Sequence, residues 1–175
     1  MILHEEMGEE LLTAHTAVET TYEPDYEAER NKPMPNFIHG AIQSAIAGVL
    51  RLAYGNQYIF PTEVTLDTFP PTTPDVLFFP KRKLDIKTIT AREKEVPITT
   101  VEILSPSQSV NELMHKAWDI YFPIGVQSVW IVIPEFKAIQ VVLPNDEKHY
   151  FDAGLLTDPA TGIQISVAAV FEDLV

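Results

Sequence analysis

The sequence contains no cysteine. That excludes disulfides, thiolate zinc sites, iron–sulfur clusters and a cysteine nucleophile, so any metal must use oxygen or imidazole ligands. Magnesium or manganese suits such a set. No stretch approaches the roughly 20 continuous apolar residues of a membrane span. The opening MILHEEMGEELL is acidic where a secretory signal would be basic, so a cytoplasmic protein with no membrane partner is expected. GxSxG, Walker A, GxGxxG and HExxH patterns are all missing, which removes the residues that the common hydrolase, nucleotide-binding and zinc-protease readings require. There is no internal repeat and no low-complexity linker.

What remains is a chain of 175 residues, 46% of them apolar, enough for one domain with a real core and one site. Its net charge of −13 opposes a long nonspecific nucleic-acid track, because phosphate affinity comes mainly from lysine and arginine. The charge is unevenly spread. Residues 1–29 hold nine acids and neither lysine nor arginine, which leaves −4 of the −13 for everything after them. Residues 1–25 therefore read as an acidic N-terminal arm and 26–175 as a single domain. Six of the twelve basic residues, Lys81, Arg82, Lys83, Lys87, Arg92 and Lys94, fall within 81–95, opposed there by Asp85, Glu93 and Glu95. Two readings of that stretch stand: a local positive surface, or an ordinary solvated loop.

Periodicity supplies the elements. Leu11, Leu12 and Val18 suggest a short helix in the arm. Asn36 is a candidate N-cap, and Ile38, Ile42, Ala45, Ile46, Val49, Leu50 and Ala53 recur at helical spacing up to Gly55. Residues 58–60, 64–69 and 74–80 read as strands, followed by the charged loop 81–95 and a strand over 97–104. Ser109 with Glu112 has the form of a capping box, opening a helix to about Phe122 that Gly125 ends. Residues 128–133 and 138–143 are rich in β-branched residues around a short connection, so they read as a hairpin. Residues 167–174 read as a terminal helix. The expected fold class is α/β (α+β), a mixed sheet flanked by helices in the order αβββαβ with an added hairpin strand.

Two carboxylates fall inside apolar runs: Asp75 in Pro74-Asp-Val-Leu-Phe-Phe, and Glu102 in Ile98-Thr-Thr-Val-Glu-Ile-Leu. A carboxylate in a buried strand is costly unless something pairs with it, and a metal ion is one such partner; placement at a solvent edge is the other reading. Lys116 lies on the following helix, turned about 100° from His115.

Pro74-Asp75 followed by Glu102-Ile-Leu-Ser-Pro-Ser resembles the PD-(D/E)XK nuclease superfamily, and within it the Uma-type branch of restriction-endonuclease-like proteins. The likeness covers roughly residues 26–170, from Tyr26-Glu27 and Lys32-Pro-Met-Pro35 through His39 to Gly125-Val and Trp130-Ile-Val-Ile-Pro134. One departure matters. The lysine expected two residues after the glutamate is Leu104 here; in the resembling branch it lies fourteen residues on, at Lys116 in this sequence. The resemblance implies a restriction-endonuclease-like sheet and a metal-dependent endonuclease acting on nucleic acid, DNA in the first place. It implies Asp75, Glu102 and the Ile103 carbonyl as holders of Mg2+ or Mn2+, with Lys116 orienting the attacking water or neutralising developing charge. Glu27 matches an upstream acidic position and reads either as a metal contact through water or as a surface glutamate. His39 reads either as a phosphate contact or as a helix-surface histidine. For Ser105, Ser107 and Ser109, turn and capping roles stand against phosphate contact; Trp118, Tyr121 and Trp130 read as packing.

A noncatalytic nuclease-fold protein, acting as an interaction or nucleic-acid-binding module, is the rival reading, and a hydrolase of another phosphoester is a third. Nucleases of this type often work as dimers; an exposed hairpin at 128–143 or the arm is the expected contact of a homodimer.

Overall fold

The structure is a computed structural model that describes residues 26–175; the expected helix around Leu11, Leu12 and Val18 lies outside the described residues. A short helix α1 (Tyr26–Arg30) precedes the long α2 (Phe37–Tyr54). Asn36 caps α2, its side chain accepting the His39 N–H at 2.9 Å. Ile42, Ile46 and Leu50, spaced by four, bury one stripe of the helix completely.

Six strands form the main sheet: β1 (Tyr58–Ile59), β2 (Val76–Pro80), β3 (Thr99–Ile103), β4 (Ser128–Ile133), β5 (Ala138–Val142) and β6 (Lys148–Phe151), side by side in chain order. All neighbours are antiparallel except β3 and β4. A parallel pair needs a crossover. Here it is one helical passage: α3 (Val110–Lys116), a π-helical turn (Ala117–Tyr121) and α4 (Phe122–Ile124). The Ser109–Glu112 capping box starts it, and Gly125 at φ 107° ends it, as that left-handed position favours.

β-strand alternation builds two cores. Val76, Phe78, Val101, Ile103, Trp130 and Val132 point to the α2 face, while Leu77, Phe79, Val129, Ile131 and Ile133 point to α3 and the π-turn. Burial on both faces explains why β2 and β4 read as near-continuous apolar runs.

The structure corrects three expectations. Residues 64–69 form no strand: only isolated bridges tie Thr62 to Val76 and Leu66 to Thr72 and Glu93. Pro61, Pro70, Pro71 and Pro74 cannot donate to a ladder, and Glu63 turns the chain with φ 58°. The hairpin at 128–143 is not an exposed contact surface, because β4 lies buried between β3 and β5. The terminal helix is one turn, α5 (Val167–Val170), not 167–174. Three strands were unanticipated: β6, and the separate pair β7 (Leu155–Thr157) and β8 (Gln164–Ser166), all short and partly polar.

Candidate active site

The β2–β3 register pairs Val76 with Val101, so one residue further out Asp75 faces Glu102. The Asp75 N–H bonds the Val101 carbonyl at 3.0 Å, and its Oδ2 accepts the Ile103 N–H at 2.6 Å. Both side chains are buried, at 1% and 2% exposure, so partnering decides their state.

Each carboxylate has its own cation. Lys32, in the loop after α1, sits on Asp75 Oδ1 and also donates to Glu63 Oε1 at 2.9 Å; Arg30 holds Glu63 Oε2 at 2.5 Å. His39 Nε2 lies 3.2 Å from the same Asp75 oxygen. Lys116 Nζ donates to Glu102 Oε1 at 3.1 Å, and the Tyr121 hydroxyl donates to that oxygen too. Lys116 is 8% exposed while His115 beside it has 58% of its side chain exposed, so the helix turns the lysine inward.

The environments separate the two acids. Burial pushes the Asp75 carboxyl upward, but the His39 hydrogen bond and the Lys32 charge outweigh it and hold it below its ordinary value. Glu102 is raised, because burial together with the Asp75 charge outweighs Lys116, Lys32 and Tyr121. Burial would lower the Lys32 ammonium, yet Asp75, Glu102 and Glu63 raise it. Burial and the Glu102 charge lift the Tyr121 hydroxyl well above its usual range, so it remains a donor.

Tyr121 and Lys116 share one oxygen because of the π-turn. Five residues apart on an α-helix they would diverge by about 140°; the wider turn, with the Phe122 N–H bonded to the Ala117 carbonyl, brings them round to one side. Pro123 accounts for the widening. It has no N–H for the Asp119 carbonyl, and its ring would crowd that carbonyl in an α-helical turn.

A cleft of about 460 Å³ opens over the site. Lys32 and Lys116 line it, with Glu27, Asn31, Gln108 and His115 among the wall residues; Asp75 and Glu102 lie behind the two lysines. Glu27 is exposed on this wall. His39 is neither a surface histidine nor on the cleft: it is buried against Asp75, and its Nδ1 finds no partner among the described residues. Ser109 caps α3, as expected, while Ser107 lines the cleft. Tyr121 and Lys32 belong to the site although neither was singled out for it. The Lys32-Pro-Met-Pro35 run and Pro123 inside a helical pattern were the available signals.

Among the described residues no group of three or more His, Asp and Glu forms a ready-made metal cage. The donor set nevertheless fits a hard divalent ion. It offers two buried carboxylates on facing strand positions, and no hydrogen bond among the described residues reaches Glu102 Oε2. Magnesium is commonly held by one or two carboxylates, with water and phosphate completing its shell.

The loop 81–95 is exposed, but Arg82 pairs with Glu93 and Glu95, Arg92 lies 3.8 Å from Asp67, and Lys81 donates to the Gly55 carbonyl at 2.7 Å. Its positive charge is therefore partly spent within the domain.

No helix among the described residues is long and apolar enough to cross a membrane. No curated protein matches the chain. A solved structure, that of "a putative nuclease belonging to DUF820" from Anabaena variabilis ATCC 29413, is similar in fold and sequence. Its TM-score is 0.69 at 25% identity, over 82% of this chain and 85% of that one. Together with the mixed sheet this supports a nuclease function in general terms. Residues 8–169 match the family described as "Uma2: Putative restriction endonuclease", and the chain belongs to that family.

Proposed function

We propose that this protein is a divalent-metal-dependent endonuclease that hydrolyses phosphodiester bonds in nucleic acid, DNA in the first place. The observation that carries the reading is the meeting of Asp75, Glu102 and Lys116, two facing strand positions and a lysine from the next helix, beneath one open cleft. Asp75, Glu102 and the Ile103 carbonyl would hold Mg2+ or Mn2+. Bound there, the ion supplies Lewis-acid polarisation of the phosphate and a water of lowered pKa.

The remaining work belongs to the chain's own groups. Lys116 anchors Glu102 and presents an ammonium to the cleft, where it orients a water or neutralises charge developing on a phosphate oxygen. Tyr121 donates to Glu102 and holds its Oε1 toward Lys116. His39 and the Ile103 N–H fix the Asp75 carboxylate from two sides. Glu27 stands exposed on the cleft wall, and its proposed role is a contact to the ion through water.

A second reading, a catalytically silent module of the same fold, draws on one specific observation: both carboxylates are buried and already neutralised by lysines. Incubation with supercoiled plasmid, single-stranded DNA and RNA across a Mn2+ titration separates the two. The nuclease reading expects cleavage that needs the divalent ion, stops with chelator and is lost in Asp75→Asn. No cleavage of any of the three polymers, with Mn2+ or Mg2+, would favour the silent module.

A further inference from the structure

We propose that Lys32 gates the metal site: its ammonium closes Asp75 in the ion-free protein and transfers to Glu63 when a divalent ion binds. The inference rests on the metal-site reading above and concerns a residue outside the Asp75, Glu102 and Lys116 set.

The first observation is access. Both Asp75 oxygens are engaged: Oδ1 carries Lys32 and His39, and Oδ2 carries the Ile103 N–H and keeps one lone pair. It is 1% exposed, and it does not line the cleft; Lys32 does. An ion entering from the cleft therefore meets an ammonium before it meets the carboxylate. Two like charges on one buried oxygen repel strongly, so an ion that takes Oδ1 requires the ammonium to move.

The second observation identifies which group can move. Lys116 has a single ion-pair partner among the described residues, Glu102. Lys32 has two, and its second acceptor, Glu63 Oε1, is already within 2.9 Å. Transfer therefore means giving up one bond while keeping the other, with rotation confined to the lysine side chain. Glu63 is built as a receiver. Arg30 holds its other oxygen, its N–H bonds the Asp75 carbonyl at 3.3 Å, and its backbone sits at φ 58°, a conformation that favours glycine. Charge supports the exchange as well. Glu63, Asp75 and Glu102 pair with Arg30, Lys32 and Lys116, so the chain's own cations neutralise the buried carboxylates. A lysine that keeps the site closed and balanced until an ion arrives costs metal affinity, and that cost is measurable.

The test is Mn2+ binding to the full chain, followed by electron paramagnetic resonance without nucleic acid, in wild type, Lys32→Met, Glu63→Gln and Asp75→Asn. Lys32→Met removes the competitor and is expected to tighten Mn2+ binding by about tenfold or more, the scale of one unit charge acting at contact distance in a partly wet site. Glu63→Gln weakens the receiver, leaves Lys32 on Asp75 and is expected to loosen binding several-fold. Asp75→Asn should lose it. Opposite signs in the first two variants are not what general damage to the fold produces. Equal or weaker binding in Lys32→Met, or tighter binding in Glu63→Gln, with Asp75→Asn still deficient, would overturn the gate and leave the metal site standing. Wild-type protein that binds no Mn2+, or binds it as well after Asp75→Asn, would overturn both.

Discussion

Lys116→Met is expected to lower cleavage about 10²–10⁴-fold while the protein still binds a divalent ion, because it keeps most of the apolar stem and deletes only the ammonium. Glu102→Gln should behave differently. It removes a charge from the proposed ion site while preserving shape, so ion affinity and cleavage should fall together. The geometry makes the contrast sharp, since both substitutions act at one contact, the 3.1 Å bond from Lys116 Nζ to Glu102 Oε1. In Lys116→Met the Tyr121 hydroxyl still reaches that oxygen, so Glu102 retains a donor in a fully buried setting. Both variants need circular dichroism to establish that they are folded. Cleavage at the wild-type rate in Lys116→Met would reduce the lysine to a neutralising partner of Glu102 and would leave the chemistry to the carboxylates.

The largest expected effect on stability lies outside that contact, at Asp158. Its side chain is fully buried and no cation pairs with it among the described residues. Instead, Ser128 Oγ and Trp130 Nε1 donate to Oδ2 at 2.6 and 2.9 Å, and the Ala160 N–H donates to Oδ1 at 2.8 Å. Its backbone bonds Ile163 and Gly162, so one residue ties the β7–β8 turn to the first half of β4. Asp158→Ala strips an acceptor from two buried donors, Ser128 Oγ and Trp130 Nε1, and from the Ala160 N–H at the turn. The expected loss is about 3 kcal/mol or more, which for a chain of this size lowers Tm by about 10 °C. Asp158→Asn keeps one carbonyl acceptor and should lose less. Thermal unfolding of the two variants checks the order; equal and small losses would mean that packing around Trp130, not the carboxylate, holds the C-terminal pair.

What could be read from the sequence was local. The Asn36 cap, the Ile42–Ile46–Leu50 stripe, the Ser109–Glu112 box and the Gly125 stop each depend on residues a few positions apart, and all appear in the structure. The apolar runs around Asp75 and Glu102 located β2 and β3, and the family resemblance pointed to Lys116. The parts that could not be read depend on packing between distant segments. Lys32 meets Asp75 across 43 positions and Tyr121 meets Glu102 across 19; the Lys32-Pro-Met-Pro35 run and Pro123 mark the segments locally but not the partners they reach. His39 was read as a phosphate contact or a helix-surface histidine; the approach of that helix end to β2 buries it against Asp75 instead. The strand expected at 64–69 failed because apolar alternation was weighed above the surrounding prolines. The hairpin at 128–143 was expected to be exposed because composition cannot tell an edge strand from a central one.

The central claim is that Asp75 and Glu102, with the Ile103 carbonyl, form a divalent-ion site. Anomalous diffraction from crystals soaked in Mn2+ measures this directly. The account predicts one peak about 2.1 Å from carboxylate oxygens of Asp75 and Glu102 and from the Ile103 carbonyl oxygen, with the Lys32 ammonium turned to Glu63. A peak at other acidic residues only, or Asp75 still capped by Lys32 at saturating Mn2+ with no peak beside it, would contradict it.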